Sequence, residues 1–168
     1  MQPEWKKEKL KAWMEAYGDA VLRTCYLCLK DQYLAEDAAQ EAFVKVYEHM
    51  ETFRGESSEK TWITRIAVNV CKNCIRKNWF QKERTSLEEG RHQDGSYEIA
   101  EDGMTLVPAI LSLPEKYREV LILYYYRELK VKEIARILDL QEAAVLQRLK
   151  RGRDLLKNRL KEDGLWEE

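Results

Sequence analysis

The chain has 168 residues and a mass of 20.0 kDa, with 29 Lys and Arg against 30 Asp and Glu and a net charge of −1. At 45% apolar and 35% charged it holds enough hydrophobe for a core, while seven Gly and three Pro are too few for a turn-rich β-sandwich or a collagen-like chain. The longest apolar run, Val120 to Tyr126, falls far short of the ~20 residues that span a bilayer, and the N-terminus lacks a signal-peptide stretch, so a cytoplasmic protein without direct membrane insertion is expected.

The first element is a helix: Leu10, Trp13, Met14, Tyr17 and Val21 recur at i, i+3, i+4 and i+7. The next runs from Ala35 to Tyr47, with acids in its first turns, where the helix dipole favours them, and with Ala39, Phe43, Val46 and Met50 on its apolar side. Glu36, Asp37, Gln40, Glu41 and Glu48 leave a mostly acidic surface, read either as a solvated face or as a docking site for a basic partner. Residues 1–59 together carry a net −4. A loop with Gly and hydroxyls, Phe53-Arg-Gly-Glu-Ser-Ser58, leads to a helix from Thr61, and residues 60–85 carry +6. On this helix Ile63, Ile66, Val70 and Cys74 line one side. Trp62, Arg65, Asn69, Lys72, Asn73 and Arg76 share the other. An aromatic, two amides and three cations on one face suit stacking on an unpaired base, reading its edge and holding its backbone. The bland alternative is a half-buried Trp beside ordinary surface charges.

Two C-x-x-C pairs, Cys25/Cys28 and Cys71/Cys74, invite a zinc reading. The 42-residue gap between them exceeds the spacing of common zinc motifs, both pairs lie within helices, and neither has a Gly-containing knuckle. Their wheel positions among apolar residues favour packing as small hydrophobes, reduced in a cytoplasm, with redox sensing as an alternative. No metal and no cofactor is expected.

Residues 86–104 hold three of the seven glycines, few large hydrophobes and a net −5, the composition of a flexible acidic linker. Beyond it, Tyr117, Val120, Leu121 and Tyr124 repeat the helical pattern, with Pro114 suited to the first turn. Lys132 to Leu149 then has the layout of a helix-turn-helix. Small Ala135 lets two helices approach, and Ile134, Leu138, Leu140, Val145 and Leu149 are spaced to fill the crevice between them. Asp139 stands at the turn, where it tolerates the left-handed conformation. Residues 145–161 carry +6. On the second helix Val145, Leu149, Gly152 and Leu156 face inward. Ala143, Ala144, Gln147, Arg148 and Arg151 are placed to meet base edges or phosphates, and Lys150, Arg153 and Lys157 to attract phosphate without regard to sequence. The chain therefore reads as all-α, two small helical domains joined by an acidic linker, the second domain containing the helix-turn-helix.

In this order, Ala35-Glu-Asp-Ala-Ala-Gln-Glu-Ala-Phe43, Phe53-Arg-Gly-Glu-Ser-Ser58, Thr61-Trp-Ile-Thr-Arg-Ile-Ala-Val-Asn69, Leu113-Pro-Glu-Lys-Tyr-Arg-Glu-Val-Leu121, Glu133-Ile-Ala135 and Arg148-Leu-Lys-Arg-Gly-Arg153 resemble the extracytoplasmic-function group of sigma factors, within the sigma-70 family of bacterial RNA polymerase specificity subunits. The resemblance spans roughly Met14 to Leu160. It implies a region 2-like domain over 5–85, the linker over 86–107 and a region 4-like domain over 108–161. It implies that Glu36, Asp37, Gln40, Glu41 and Lys45 dock on the β′ clamp helices of core RNA polymerase. Phe53, Arg54 and Gly55 would belong to the loop that captures a flipped base of the −10 promoter element. Asn69 would read that base, and Trp62 would stand at the upstream edge of melting, with Arg65, Lys72, Asn73 and Arg76 completing the −10 surface. The helix-turn-helix, through Ala143, Ala144, Gln147, Arg148, Lys150 and Arg151, would read the −35 element and contact the β flap. The linker would lie in the RNA path, and an anti-sigma factor is an implied partner. The sequence departs from the family where a recognition helix commonly begins Gly-Thr-Val-Lys-Ser-Arg: Ala143-Ala-Val-Leu-Gln-Arg148 lacks the hydroxyl at 144 and the cation at 146. Asn73 likewise stands where the family often has an acid.

The expected function is an alternative sigma factor that binds core enzyme, directs promoter-specific initiation and has neither enzymatic chemistry nor a small-molecule substrate. A free-standing helix-turn-helix regulator and a thiol- or zinc-based sensor are the rival readings.

Overall fold

A computed structural model describes residues 3–84 and 106–166. All described elements are helical. The chain divides into two compact units, Met1–Ser96 and Tyr97–Glu168. The acidic linker expected over 86–107 lies outside the described residues except at its last two positions.

The N-terminal unit contains α1 (Glu4–Leu29), α2 (Gln32–His49), a 3₁₀ turn (Met50–Thr52) and α3 (Glu59–Arg84), with α1, α2 and α3 packed on one another. Local chemistry sets the boundaries. Lys30 ends α1 in the left-handed conformation, its N–H donating to the Tyr26 carbonyl at 2.7 Å. Asp31 then caps α2, its Oδ1 accepting from the Leu34 N–H at 3.0 Å. Ser58 does the same for α3, accepting from the Thr61 N–H at 3.0 Å, so that helix starts two residues before Thr61. Trp13, Val21, Cys25, Phe43, Val46, Ile63, Ala67 and Val70 are buried. Met14 shares the spacing of this stripe yet is exposed, because it lies at the edge of the face that α1 turns toward α2 and α3.

The C-terminal unit contains α4 (Val107–Leu111), α5 (Glu115–Leu121), a π-helical turn (Ile122–Tyr126), α6 (Val131–Leu138) and α7 (Glu142–Glu162). Pro114 stands one residue ahead of α5, at its cap rather than inside its first turn. The π turn is closed by the Arg127 N–H donating to the Ile122 carbonyl at 3.0 Å. Its wider winding turns the chain less per residue than an α-helix does, and Tyr124 within it, expected inward with Val120 and Leu121, is exposed. Asp139 occupies the left-handed region (φ 57°) at the turn between α6 and α7. Ile134, Leu138, Val145 and Leu149 are buried in the crevice, with Leu140 half-buried at its margin. At Gly152 α7 packs tightly on α5: a Cβ there would lie 3.3 Å from two side-chain carbons of Leu121 and 3.4 Å from the Tyr117 Cβ.

Candidate nucleic-acid and polymerase interfaces

On α2, Glu36, Asp37, Gln40 and Glu41 are exposed and Lys45 is half-buried. The same helix face carries two residues that the acidic pattern alone does not single out. Tyr33 and Val44 are both exposed, and helical spacing aligns them with Asp37 and Gln40. The face is thus an acidic stripe with an apolar seam. The signal in the sequence was a pair of apolar residues out of phase with the buried Ala35, Ala38, Ala42 and Phe43.

The loop after α2 is anchored by aromatic rings. Phe53 and Trp62 lie 5.1 Å apart between centroids, and each packs against the buried Trp13, at 6.0 and 5.9 Å. Lys9 places its Nζ 5.1 Å from the Trp13 ring. Trp62 is therefore half-buried and does not stand free on the polar face of α3; its indole fixes the start of that helix against α1 and the Phe53 loop. Gly55 has φ +77°, a conformation that costs a residue with a Cβ about 1–2 kcal/mol, and Arg54 beside it is exposed. Further along α3, Arg65, Asn69, Asn73 and Arg76 are exposed and Lys72 is half-buried. The loop and the polar face of α3 meet at the Phe53–Trp62 contact, giving one surface with two half-buried aromatics at one end and amides and cations along the rest.

In the C-terminal unit, Ala143, Gln147, Lys150 and Arg151 are exposed on α7, while Ala144 and Arg148 are half-buried. Arg153 donates from Nη1 to the Tyr125 hydroxyl at 3.2 Å, and Lys157 places its Nζ 5.6 Å from the Trp166 ring. These two cations are therefore partly engaged by the protein itself. Arg148, Lys150 and Arg151 cluster within four residues near the middle of the helix, with Lys150 and Arg151 exposed.

The cysteines come together in a way the linear gap conceals. The Cys71 thiol is hydrogen-bonded with the thiols of Cys25 and Cys28, and all three are buried where α1 meets α3. Those hydrogen bonds and burial push Cys71 far above the ordinary thiol value of 9.0. Cys74 is half-buried and also raised, first by burial and then by the carboxylate of Glu41, with Asp37 adding to it and Lys77 opposing. Among the described residues no group of three His, Cys, Asp or Glu has an arrangement that holds a metal ion. A thiol whose pKa is raised on folding stabilises the native state below the unfolded value of 9.0, and that contribution declines as pH climbs toward the folded pKa. The melting temperature of the N-terminal unit is accordingly expected to fall as pH rises above about 9. A Cys71→Ala variant should start lower and lose less over the same range. An identical slope in the variant would remove Cys71 as its source.

Residues 13–81 match the family described as Sigma-70 region 2, and residues 105–156 match Sigma-70, region 4. The chain is 32% identical over 165 residues to the ECF RNA polymerase sigma factor SigW of Bacillus subtilis (strain 168), covering 89% of this chain and 87% of SigW. It is 33% identical over 150 residues to SigM of the same organism, covering 85% of this chain and 90% of SigM. In fold it is similar to the sigma factor RpoE in its complex with the anti-sigma factor NepR from Bartonella quintana, with a TM-score of 0.77 at 20% identity over 92% of this chain and 98% of that one. No described helix is long and apolar enough to cross a membrane. With both sigma-70 regions matched in order and two relatives above 30% identity along most of the chain, the protein belongs to the extracytoplasmic-function sigma factors of the sigma-70 family.

Proposed function

We propose that this alternative sigma factor divides its work among three surfaces: α2 docks on core RNA polymerase, the Phe53 loop and α3 read and hold an opened −10 element, and α7 reads the −35 element. The observation that carries the reading lies within the N-terminal unit. An acidic stripe on α2 and a cationic, amide-bearing face on α3 belong to one small packed body, so a single domain presents one surface suited to a basic protein and another suited to DNA.

In this reading Glu36, Asp37, Gln40, Glu41 and Lys45 meet the β′ clamp helices, with Tyr33 and Val44 supplying apolar contact. Phe53, Arg54 and Gly55 form the mouth that receives a flipped base, and Asn69 hydrogen-bonds its edge. Trp62 braces the mouth at the upstream end of melting, while Arg65, Lys72, Asn73 and Arg76 hold the backbone. Ala143, Ala144, Gln147, Arg148, Lys150 and Arg151 enter the major groove of the −35 element, and the same domain contacts the β flap. The domain roles follow as region 2 over 5–85 and region 4 over 108–161, with 86–107 connecting them. An anti-sigma factor that covers one or more of these surfaces is the proposed regulator.

The test is reconstitution with core RNA polymerase. A double charge reversal, Asp37→Lys with Glu41→Lys, is expected to weaken core binding about 100-fold, since placing like charges in a charge-matched interface costs several kcal/mol. The circular dichroism spectrum should be unchanged, because both side chains are exposed. Core binding at wild-type strength would remove α2 as the docking helix. Tight promoter-site binding by the chain without polymerase would favour a free-standing regulator instead.

A further inference from the structure

Leu146 is the one large hydrophobic side chain of α7 that stands exposed, at 55%. It does not belong to the packing surface: Val145, Leu149, Gly152 and Leu160 hold α7 against its neighbours. Helical spacing puts Leu146 one turn beyond Ala143 and one turn before Lys150, in the first half of the helix. Single exposed hydrophobes are common on protein surfaces and need no function. This one is distinguished by its setting, with Arg148, Lys150 and Arg151 as near neighbours along the helix. An apolar tip among cations is chemically matched to a polyanion that offers an apolar spot. In the major groove that spot is the C5 methyl of thymine, the apolar group that projects furthest from an edge otherwise read through hydrogen-bond donors and acceptors.

We propose that Leu146 is a specificity-determining residue that selects thymine in the upstream promoter element by packing on its C5 methyl. The inference deepens the reading of α7 as the −35 helix and rests on it. Discrimination follows from what a leucine cannot do. Against cytosine it buries the N4 amino donor without offering an acceptor, and against guanine it covers O6 and N7 without offering a donor, so in each case a polar edge loses water with nothing in return. Gln147, exposed beside it, carries an amide of the kind that pairs with adenine N6 and N7. The two neighbours together favour an A·T-containing site. A lysine at 146 would instead donate to phosphate or guanine, so this position changes base preference and not only affinity.

The experiment uses holoenzyme assembled from the full chain and core RNA polymerase. Promoters are selected from a randomised library, and each thymine of the recovered upstream motif is then replaced in turn by deoxyuridine, which deletes only the methyl. At one position wild-type holoenzyme should bind about 4-fold more weakly to deoxyuridine than to thymine, the value of one buried methyl. Leu146→Ala should bind the two equally, Leu146→Met should restore the difference, and all three proteins should share one melting temperature. An upstream motif with no methyl-sensitive position overturns the inference alone, as does a methyl effect that survives in Leu146→Ala. Absence of any upstream motif overturns the reading of α7 and the inference with it.

Discussion

Replacing Arg65 and Asn69 together by alanine is expected to reduce promoter-dependent transcription about 100-fold while leaving binding to core RNA polymerase at its wild-type strength. A well-placed hydrogen-bonding contact to a base is worth about 1–3 kcal/mol, or about 5- to 150-fold, and the double variant removes two polar contributors from one face. Both side chains are exposed on α3, outside the Trp13–Phe53–Trp62 cluster that fixes the loop and the helix start, so truncation should not disturb the fold. They also lie on a different helix from the acidic stripe of α2, which is why docking should survive. The readouts separate the steps: core binding by fluorescence anisotropy, strand opening by permanganate reactivity of unpaired thymines, and transcript yield. Loss of opening with intact core binding is the expected combination. Wild-type opening would mean that the DNA-reading surface of the N-terminal unit lies elsewhere.

Trp62→Ala should behave differently from that pair, and the contrast shows where a helical wheel stops being informative. The wheel puts Trp62 on the same face as Arg65 and Asn69, but a wheel has no knowledge of what approaches from outside. The Phe53 loop and Trp13 of α1 both come to Trp62, making it a brace as well as a candidate DNA contact. The cysteines teach the same lesson from the other direction. Their spacing of 42 residues makes two separate pairs on paper, whereas the packing of α1 on α3 brings Cys71 to Cys25 and Cys28. What the sequence did make legible was local and periodic. The α2 stripe, the crevice residues Ile134, Leu138, Val145 and Leu149, and the left-handed turn at Asp139 each follow from residue type at a given phase. The exposed Tyr124 did not, because a π turn shifts the phase by a fraction of a turn and no residue in Ile122–Tyr126 announces it.

Gly152→Leu, where α7 packs tightly on α5, should destabilise the C-terminal unit by about 3 kcal/mol, the upper part of the range for overpacking a filled contact. The first added atom already has no slack, with Leu121 at 3.3 Å and the Tyr117 Cβ at 3.4 Å. Gly152→Ala should be close to neutral: the crowding is offset by the roughly 1 kcal/mol that alanine gains over glycine inside a helix. Leucine carries three further carbons into the same contact and must lever α7 away from α5. A domain of this size has only about 3–9 kcal/mol of stability, so the leucine variant would be partly unfolded near physiological temperature. Four of the five tryptophans, Trp5, Trp13, Trp62 and Trp79, lie in the N-terminal unit, which lets the two units be followed separately. In urea the variant should lose helical circular dichroism early while most of the tryptophan fluorescence change stays at the wild-type midpoint. In holoenzyme it should lose dependence on the upstream promoter element while core docking through α2 persists. Coincident wild-type transitions by both probes would mean that α7 tolerates separation from α5, and that the glycine is not needed for the approach.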